Sequence, residues 1–180
     1  MAPSNDAFAQ LGNVSTEALI ATLQYHVLNG TVRVGDISED GNTIVNSFLT
    51  NAQYVQLPNN ASQVVVLSRT GDNSYSVVEG ARNVSFASGE DGPTYQNLLV
   101  QPINTVLTIP GNLSSVVTAL NATQLASALT QANLLETLQN SRNGLTVFAP
   151  TDAAFQAAQS AISAATPEQL ANVLATHVIK

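Results

Sequence analysis

Apolar positions along this chain alternate between helical and strand spacing. Leu170, Val173, Leu174, His177 and Val178 recur at i, i+3, i+4, i+7 and i+8, which gathers them on one face of a helix. Thr166 is placed to cap that helix, Pro167 suits its first position and Glu168 its first turn. The same arrangement stands near the N-terminus, where Ser15 or Thr16 caps, Glu17 follows and Asn29-Gly30 stops the helix. Residues 31–110 switch to short β-branched or aromatic runs at 43–48, 53–57, 62–68, 74–78 and 82–86. Pro58-Asn59-Asn60, Gly71-Asp72-Asn73 and Gly80 separate them, which predicts an antiparallel meander. A further run, 98–107, contains Pro102 and so predicts an edge or a break within that strand. Residues 112–139 turn helical again, with Val116, Val117, Leu120, Leu125, Leu129 and then Leu134, Leu135 and Leu138. Asn143-Gly144 ends that region, and 145–148 reads as a strand. The sum is an α+β class, helices segregated from a mostly antiparallel sheet.

Two blocks repeat in the same order. Ala2-Pro3-Ser4-Asn5-Asp6-Ala7-Phe8 returns as Ala149-Pro150-Thr151-Asp152-Ala153-Ala154-Phe155. Glu17, Leu19, Leu23 and His26-Val27-Leu28 return as Glu168, Leu170, Leu174 and His177-Val178-Ile179. Two ordered matches point to duplication rather than coincidence. In each Ala-Pro block the proline ends a strand, Ser4 or Thr151 caps the next helix, and Phe8 or Phe155 is expected to anchor it in the core.

Composition narrows the function. The 180 residues are 44% hydrophobic, enough to bury a core. Five basic residues, Arg33, Arg69, Arg82, Arg142 and Lys180, are scattered against 12 acidic ones. Nucleic acid needs clustered cations, and so does an anionic membrane surface, so neither is an expected partner. No apolar run reaches the roughly 18 residues of a membrane span, and the segment after Met1 does not resemble a secretory signal. Cysteine is absent, which removes disulfides, thiolate metal sites and cysteine nucleophiles.

Six Asn-x-Ser/Thr sequons occur, at Asn13, Asn29, Asn60, Asn83, Asn112 and Asn121. With 18 Asn and 33 Ser plus Thr, chance supplies about three. The excess favours a secreted glycoprotein, and these six asparagines are expected on the surface.

The stretch from Leu145 to Phe155, LTVFAPTDAAF, followed by LANVLATHVI from Leu170 to Ile179, resembles the two signature segments of the fasciclin, or FAS1, domain. APSNDAF and LIATLQYHVLNGTV (Leu19 to Val32) are similar to the same segments in an earlier copy, and Asn97 to Pro110 to the strand that closes such a domain. The resemblance implies an antiparallel β-sheet wedge with packed N-terminal helices. It implies an extracellular adhesion module, secreted or held at a cell surface or cell wall, whose partners are matrix or cell-surface proteins or glycans. It further implies that 1–110 is one domain lacking its N-terminal helices and first strand, and 111–180 the N-terminal half of a following one. The Tyr-His pair tied to adhesion in some members matches Tyr25-His26 and becomes Thr176-His177 in the second copy. The Asp-Ile motif of integrin-binding members has no counterpart in 89–95, and the family's closing-strand histidine is Gln101 here.

Little catalytic chemistry is visible. His26 and His177 each sit on an apolar helix face and are expected to be buried, bonded to backbone or a hydroxyl. No HExxH, GxSxG, P-loop or GxGxxG pattern occurs, so no catalytic residue, metal or cofactor is assigned. Residues 39–42 and 89–92 lack the ligand spacing of a calcium loop and read as solvated turns. Tyr25, Tyr54, Tyr75 and Tyr95 are too dispersed for a stacking platform and read as core or edge residues. A small-ligand carrier with a pocket between helices and sheet is the alternative function.

The sheet of 31–110 needs covering helices, and within the chain only 112–148 can supply them. The expected result is one compact permuted domain, in which the helices around Leu23 and Leu174 compete for one core site. The rival is exchange between molecules, giving a domain-swapped homo-oligomer.

Overall fold

A computed structural model describes residues 1–71, 73–80, 82–141 and 145–179. The chain forms two compact units, Met1–Val55 with Asn60–Ile109, and Pro110–Lys180 with Gln56–Asn59.

In the first unit, strand β1 (Ala2–Pro3) leads into helices α1 (Asn5–Ala9) and α2 (Thr16–His26). Ser4 and Ser15 cap the two helices, their side chains accepting the Ala7 and Ala18 N–H groups. Helix α2 stops at His26, before Asn29-Gly30, because Val27 turns extended and Leu28 bridges to Ser47. Strands β2 (Asn42–Asn46), β3 (Val64–Arg69), β4 (Tyr75–Glu79) and β5 (Arg82–Ser85) follow. They pair in that order, all antiparallel, as the expected meander. Val65 and Leu67 of β3 are fully buried, facing Val77 of β4 and Val84 of β5 on one side of the sheet. Ala21 and Tyr25 of α2 pack on that layer together with Leu49, Ile103 and Leu107.

One expected strand is missing, and another is interrupted as its proline predicts. Residues 53–57 make a turn: Asn51 accepts the Gln53 N–H through Oδ1 and the Tyr54 and Val55 N–H groups through its carbonyl. An Asn side chain that imitates backbone in this way outcompetes strand pairing. The 98–107 run breaks at Pro102, which has no N–H to give a ladder. Strand β6 (Thr94–Tyr95) pairs antiparallel with β7 (Leu98–Leu99), while β8 (Pro102–Ile103) pairs parallel with β1. Gly92 permits the β6–β7 hairpin to close, since a Cβ there would collide with the Val100 carbonyl.

The second unit holds helices α3 (Leu113–Ala119), α4 (Thr123–Gln131) and α5 (Leu135–Gln139), then strand β9 (Thr146–Val147). Asn121 and Asn133 adopt positive φ at the two breaks, the left-handed stop that Asn tolerates. Helices α6 (Asp152–Ala157), α7 (Gln159–Ala164) and α8 (Pro167–Ala175) follow, and β10 (Val178–Ile179) pairs antiparallel with β9. Thr166 and Gln169 form a reciprocal capping box at the start of α8. Asp152 accepts the Thr123 hydroxyl and the Gln124 N–H, holding the start of α6 to the start of α4. Val117, Leu125, Leu129, Phe155, Leu170 and Leu174 are the main buried residues.

The described residues hold two buried clusters, and the two signature helices occupy one each: α2 contributes Tyr25 to the first, α8 contributes Leu174 to the second. Phe8 does not anchor α1; it is 37% exposed, whereas Phe155 is 7% exposed. Phe155 packs among α4 and α8. The Asn143-Gly144 stop and Asp72 of the Gly71-Asp72-Asn73 turn lie outside the described residues.

Candidate functional site

Tyr25 and His26 end α2 and face inward, both buried. The Tyr25 hydroxyl donates to the Val64 carbonyl at 3.3 Å. Burial, with a smaller contribution from Glu79, pushes its pKa up to about 12. His26 Nε2 lies 2.9 Å from the Leu107 N–H, and Nδ1 lies 2.6 Å from the Thr22 carbonyl. An amide N–H only donates, so Nε2 accepts and Nδ1 carries the proton, donating to Thr22. Burial lowers the His26 pKa; the Thr22 bond opposes that shift and the positive N-terminus adds to it. The pair thus joins α2 to β3 and to the closing segment.

His177 belongs to the other unit and is only half-buried, less than expected. Its Nδ1 lies 2.9 Å from the Val173 carbonyl, the same i−4 contact that His26 makes with Thr22. It differs from His26 in having no strand amide on Nε2 among the described residues.

All six sequon asparagines are exposed. Asn112 also caps α3 through Oδ1, which accepts the Ser115 N–H. Asn83 stands on β5, and Asn60 and Asn121 sit at positive φ in tight turns. Asp91, one of the loop acids at 89–92, accepts the Val34 N–H and pairs with Arg33. Its pKa is lowered first by the Val34 bond, with Arg33 adding to it against a desolvation cost. That acid is therefore committed to holding two loops of the first unit together.

One feature went unread in the sequence. The first unit has an apolar cleft of about 610 Å³ walled by Leu28, Val32, Leu67, Phe86 and Leu99. Val27, Phe48 and Leu98 stand at its margin, 46%, 54% and 57% exposed. His26, Thr31, Asn97 and Gln101 supply the polar side chains of its lining, and Met1 stands beside them. Leu98 pairs across the β6–β7 hairpin with Tyr95, which is also exposed. The available signal was the apolar pair flanking Gln96-Asn97, a two-residue turn too polar to be buried.

Among the described residues, no cluster of His, Asp or Glu suits a metal ion, and no helix is long and apolar enough to cross a membrane.

Comparison with known proteins gives three findings. The fasciclin domain model matches residues 120–180. No curated protein matches the sequence. Among solved structures, a FAS1 domain pair from the insect cell adhesion molecule fasciclin I aligns with a TM-score of 0.46 and 17% identity; the alignment covers 98% of this chain and 62% of that one. Residues 120–180 of this chain are thus similar to the fasciclin domain.

Proposed function

We propose that this protein is an extracellular adhesion module of a fasciclin-like glycoprotein, binding matrix or cell-surface partners through the cleft of its first unit. The observation that carries the reading is the ring of exposed Val27, Phe48 and Leu98 around a largely apolar cleft. Apolar side chains gathered at a concave surface are the usual mark of an interaction site. The largely apolar lining favours an aliphatic or aromatic side chain of a protein partner, with Tyr95 as a second anchor. The fasciclin domain match supports adhesion, and the six exposed sequons support a secreted or cell-surface location. The reading is of a binding module rather than an enzyme, since both ring nitrogens of His26 are engaged with backbone.

The test is binding of recombinant protein to immobilised extracellular-matrix preparations. Leu98→Asp and Tyr95→Ala should each weaken binding about ten-fold or more, as hot-spot truncations do. Ile44→Asp, on exposed β2, should leave it unchanged. Equal binding by all three variants would remove the cleft from the mechanism. Intact mass before and after deglycosylation of secreted protein should shift; an unshifted mass would argue against sequon use.

The cleft also favours a second reading, a carrier of a small uncharged ligand. Its volume of about 610 Å³ lies within the range of small-molecule sites. Native mass spectrometry of protein purified from its source should show added mass that is lost on denaturation under this reading, and no such non-covalent adduct under the first.

The reading of 1–110 as one fasciclin copy lacking its first helices, and 111–180 as the start of the next, is supported by a repeated bond. Met1 N donates to the His26 carbonyl at 2.9 Å, and Phe148 N–H donates to the His177 carbonyl at 2.8 Å. Domain-swapped exchange between molecules is the competing assembly, and light scattering separates a monomer from a stable dimer.

A further inference from the structure

Where α2 gives way to extended backbone, two internal segments of the first unit lie side by side. Leu28 bridges antiparallel to Ser47. The Phe48 N–H donates to the Val27 carbonyl at 2.9 Å, and the Asn29 N–H to the Asn46 carbonyl at 2.8 Å. Val27 therefore stands opposite Phe48, and Asn29 opposite Asn46. Side chains alternate between the two faces of such a ladder. Ser47 is buried and Leu28 packs on the first core cluster, so these two face inward. Val27, Asn29, Asn46 and Phe48 share the outward face, and all four are exposed.

Asn29 opens the sequon Asn29-Gly30-Thr31. Gly30, at φ 123°, bends the chain directly after it, and Thr31 is exposed. The acceptor amide thus stands on an accessible bend. Diagonal neighbours on a ladder lie about 7–8 Å apart, which puts the Phe48 ring within reach of a pyranose ring carried on the Asn29 side chain. Phe48 is 54% and Val27 46% exposed, so that ring would meet an open apolar pair. Asn83, the other sequon asparagine on a strand, stands opposite Val78 with Ser76 diagonal to it, and that ladder offers a sugar no aromatic face.

We propose that Asn29 is a glycan acceptor, and that the first sugar of its glycan packs on Phe48 and Val27. On modification the Asn29 side-chain nitrogen forms a bond to C1 of an N-acetylglucosamine. The C1–O bond to a lipid pyrophosphate donor breaks, the pyrophosphate leaves with that electron pair, and the nitrogen releases one of its two protons to solvent. A pyranose ring presents C–H groups on one face, and the negative face of an aromatic ring attracts them. The same contact removes apolar surface from water. The glycan becomes a fixed cover on one side of the cleft margin, while Leu98 and Tyr95 of the β6–β7 hairpin stay available to a partner. The inference rests on the secreted reading of the sequons and deepens it, by naming the sequon whose glycan the fold engages.

The experiment uses the full chain secreted from a glycosylating eukaryotic host, with its glycans trimmed enzymatically to single N-acetylglucosamines. Peptide mapping should find a sugar on Asn29. NMR should show nuclear Overhauser contacts between that sugar and the Phe48 ring. The denaturant midpoint of the trimmed protein should exceed that of trimmed Asn29→Gln, and this gap should close when both carry Phe48→Ala. Phe48 is exposed, so its truncation should leave the fold and the attachment intact. Occupied sequons elsewhere with Asn29 bare would overturn the inference and leave secretion standing. A chain bare at all six would overturn both. A sugar on Asn29 with no contact to Phe48, or a midpoint gap that persists with Phe48→Ala, would overturn the packing on that ring.

Discussion

His26 shows how one side chain serves both halves of its surroundings. It sits at the end of α2, where its Nδ1–H donates to the i−4 carbonyl, and its other nitrogen accepts from the Leu107 N–H, 81 residues away in sequence. Burial opposes its protonation, so its pKa lies below the usual value. The unfolded chain takes up a proton near pH 6.5, while the folded chain does so only at lower pH. In that window the unfolded state binds more protons, and stability falls as pH drops through it. Denaturant unfolding of the protein at a series of pH values from about 7.5 to about 5 should show this loss. His26→Phe should remove that part of the slope and cost about 1–3 kcal/mol at neutral pH, because the Leu107 N–H is left unpaired. A slope unchanged in the variant would assign the acid sensitivity to another group.

At the scale of elements, the repeat separates what local sequence decides from what neighbours decide. Ser4, Ser15, Thr151 and Thr166 all cap as their sequence positions predict, because a cap needs only the turn that follows it. Phe8 and Phe155 occupy equivalent positions, yet only Phe155 has helices to pack against. Phe155→Ala should therefore cost about 3–5 kcal/mol, whereas Phe8→Ala should cost under about 1 kcal/mol, in the range of surface substitutions. Thermal unfolding of the two variants decides the matter, and equal losses would show that Phe8 is covered in solution. The 53–57 segment gives the opposite lesson. Its pattern is strand-like, but the side chain of Asn51 captures the backbone before any ladder can form.

The whole molecule has two buried clusters of different character. The first is built on a meander sheet and the second on helices alone. Leu67 and Leu129 are nearly inaccessible in their respective clusters. Replacing either by Ala should destabilise by about 2–5 kcal/mol. Hydrogen exchange should locate the damage: Leu67→Ala should lower protection across β2–β5, and Leu129→Ala across α3–α8. Loss of protection in both units from either substitution would mean that the chain unfolds as a single cooperative body. The net charge of −7 with only 9% charged residues leaves a polar, weakly charged surface.

Sequence by itself determined the helix starts, the order of the meander, the repeat and the exposure of all six sequon asparagines. These depend on periodicity, capping and turn chemistry, which act within a few residues. The break at Pro102 was legible for the same reason, since a missing N–H is a local fact. Only the tertiary structure decided which of two equivalent residues is buried, because burial of Phe8 or Phe155 depends on elements far away in the chain. It alone brought Val27, Phe48 and Leu98 around one cleft, from a helix end, a loop and a hairpin 71 residues apart at most. It alone distinguished His26, sealed by the Leu107 amide, from His177, which makes the same i−4 contact but has no amide on Nε2 among the described residues. A helix can specify the face that it presents, but what meets that face is settled by chain segments that local pattern does not describe.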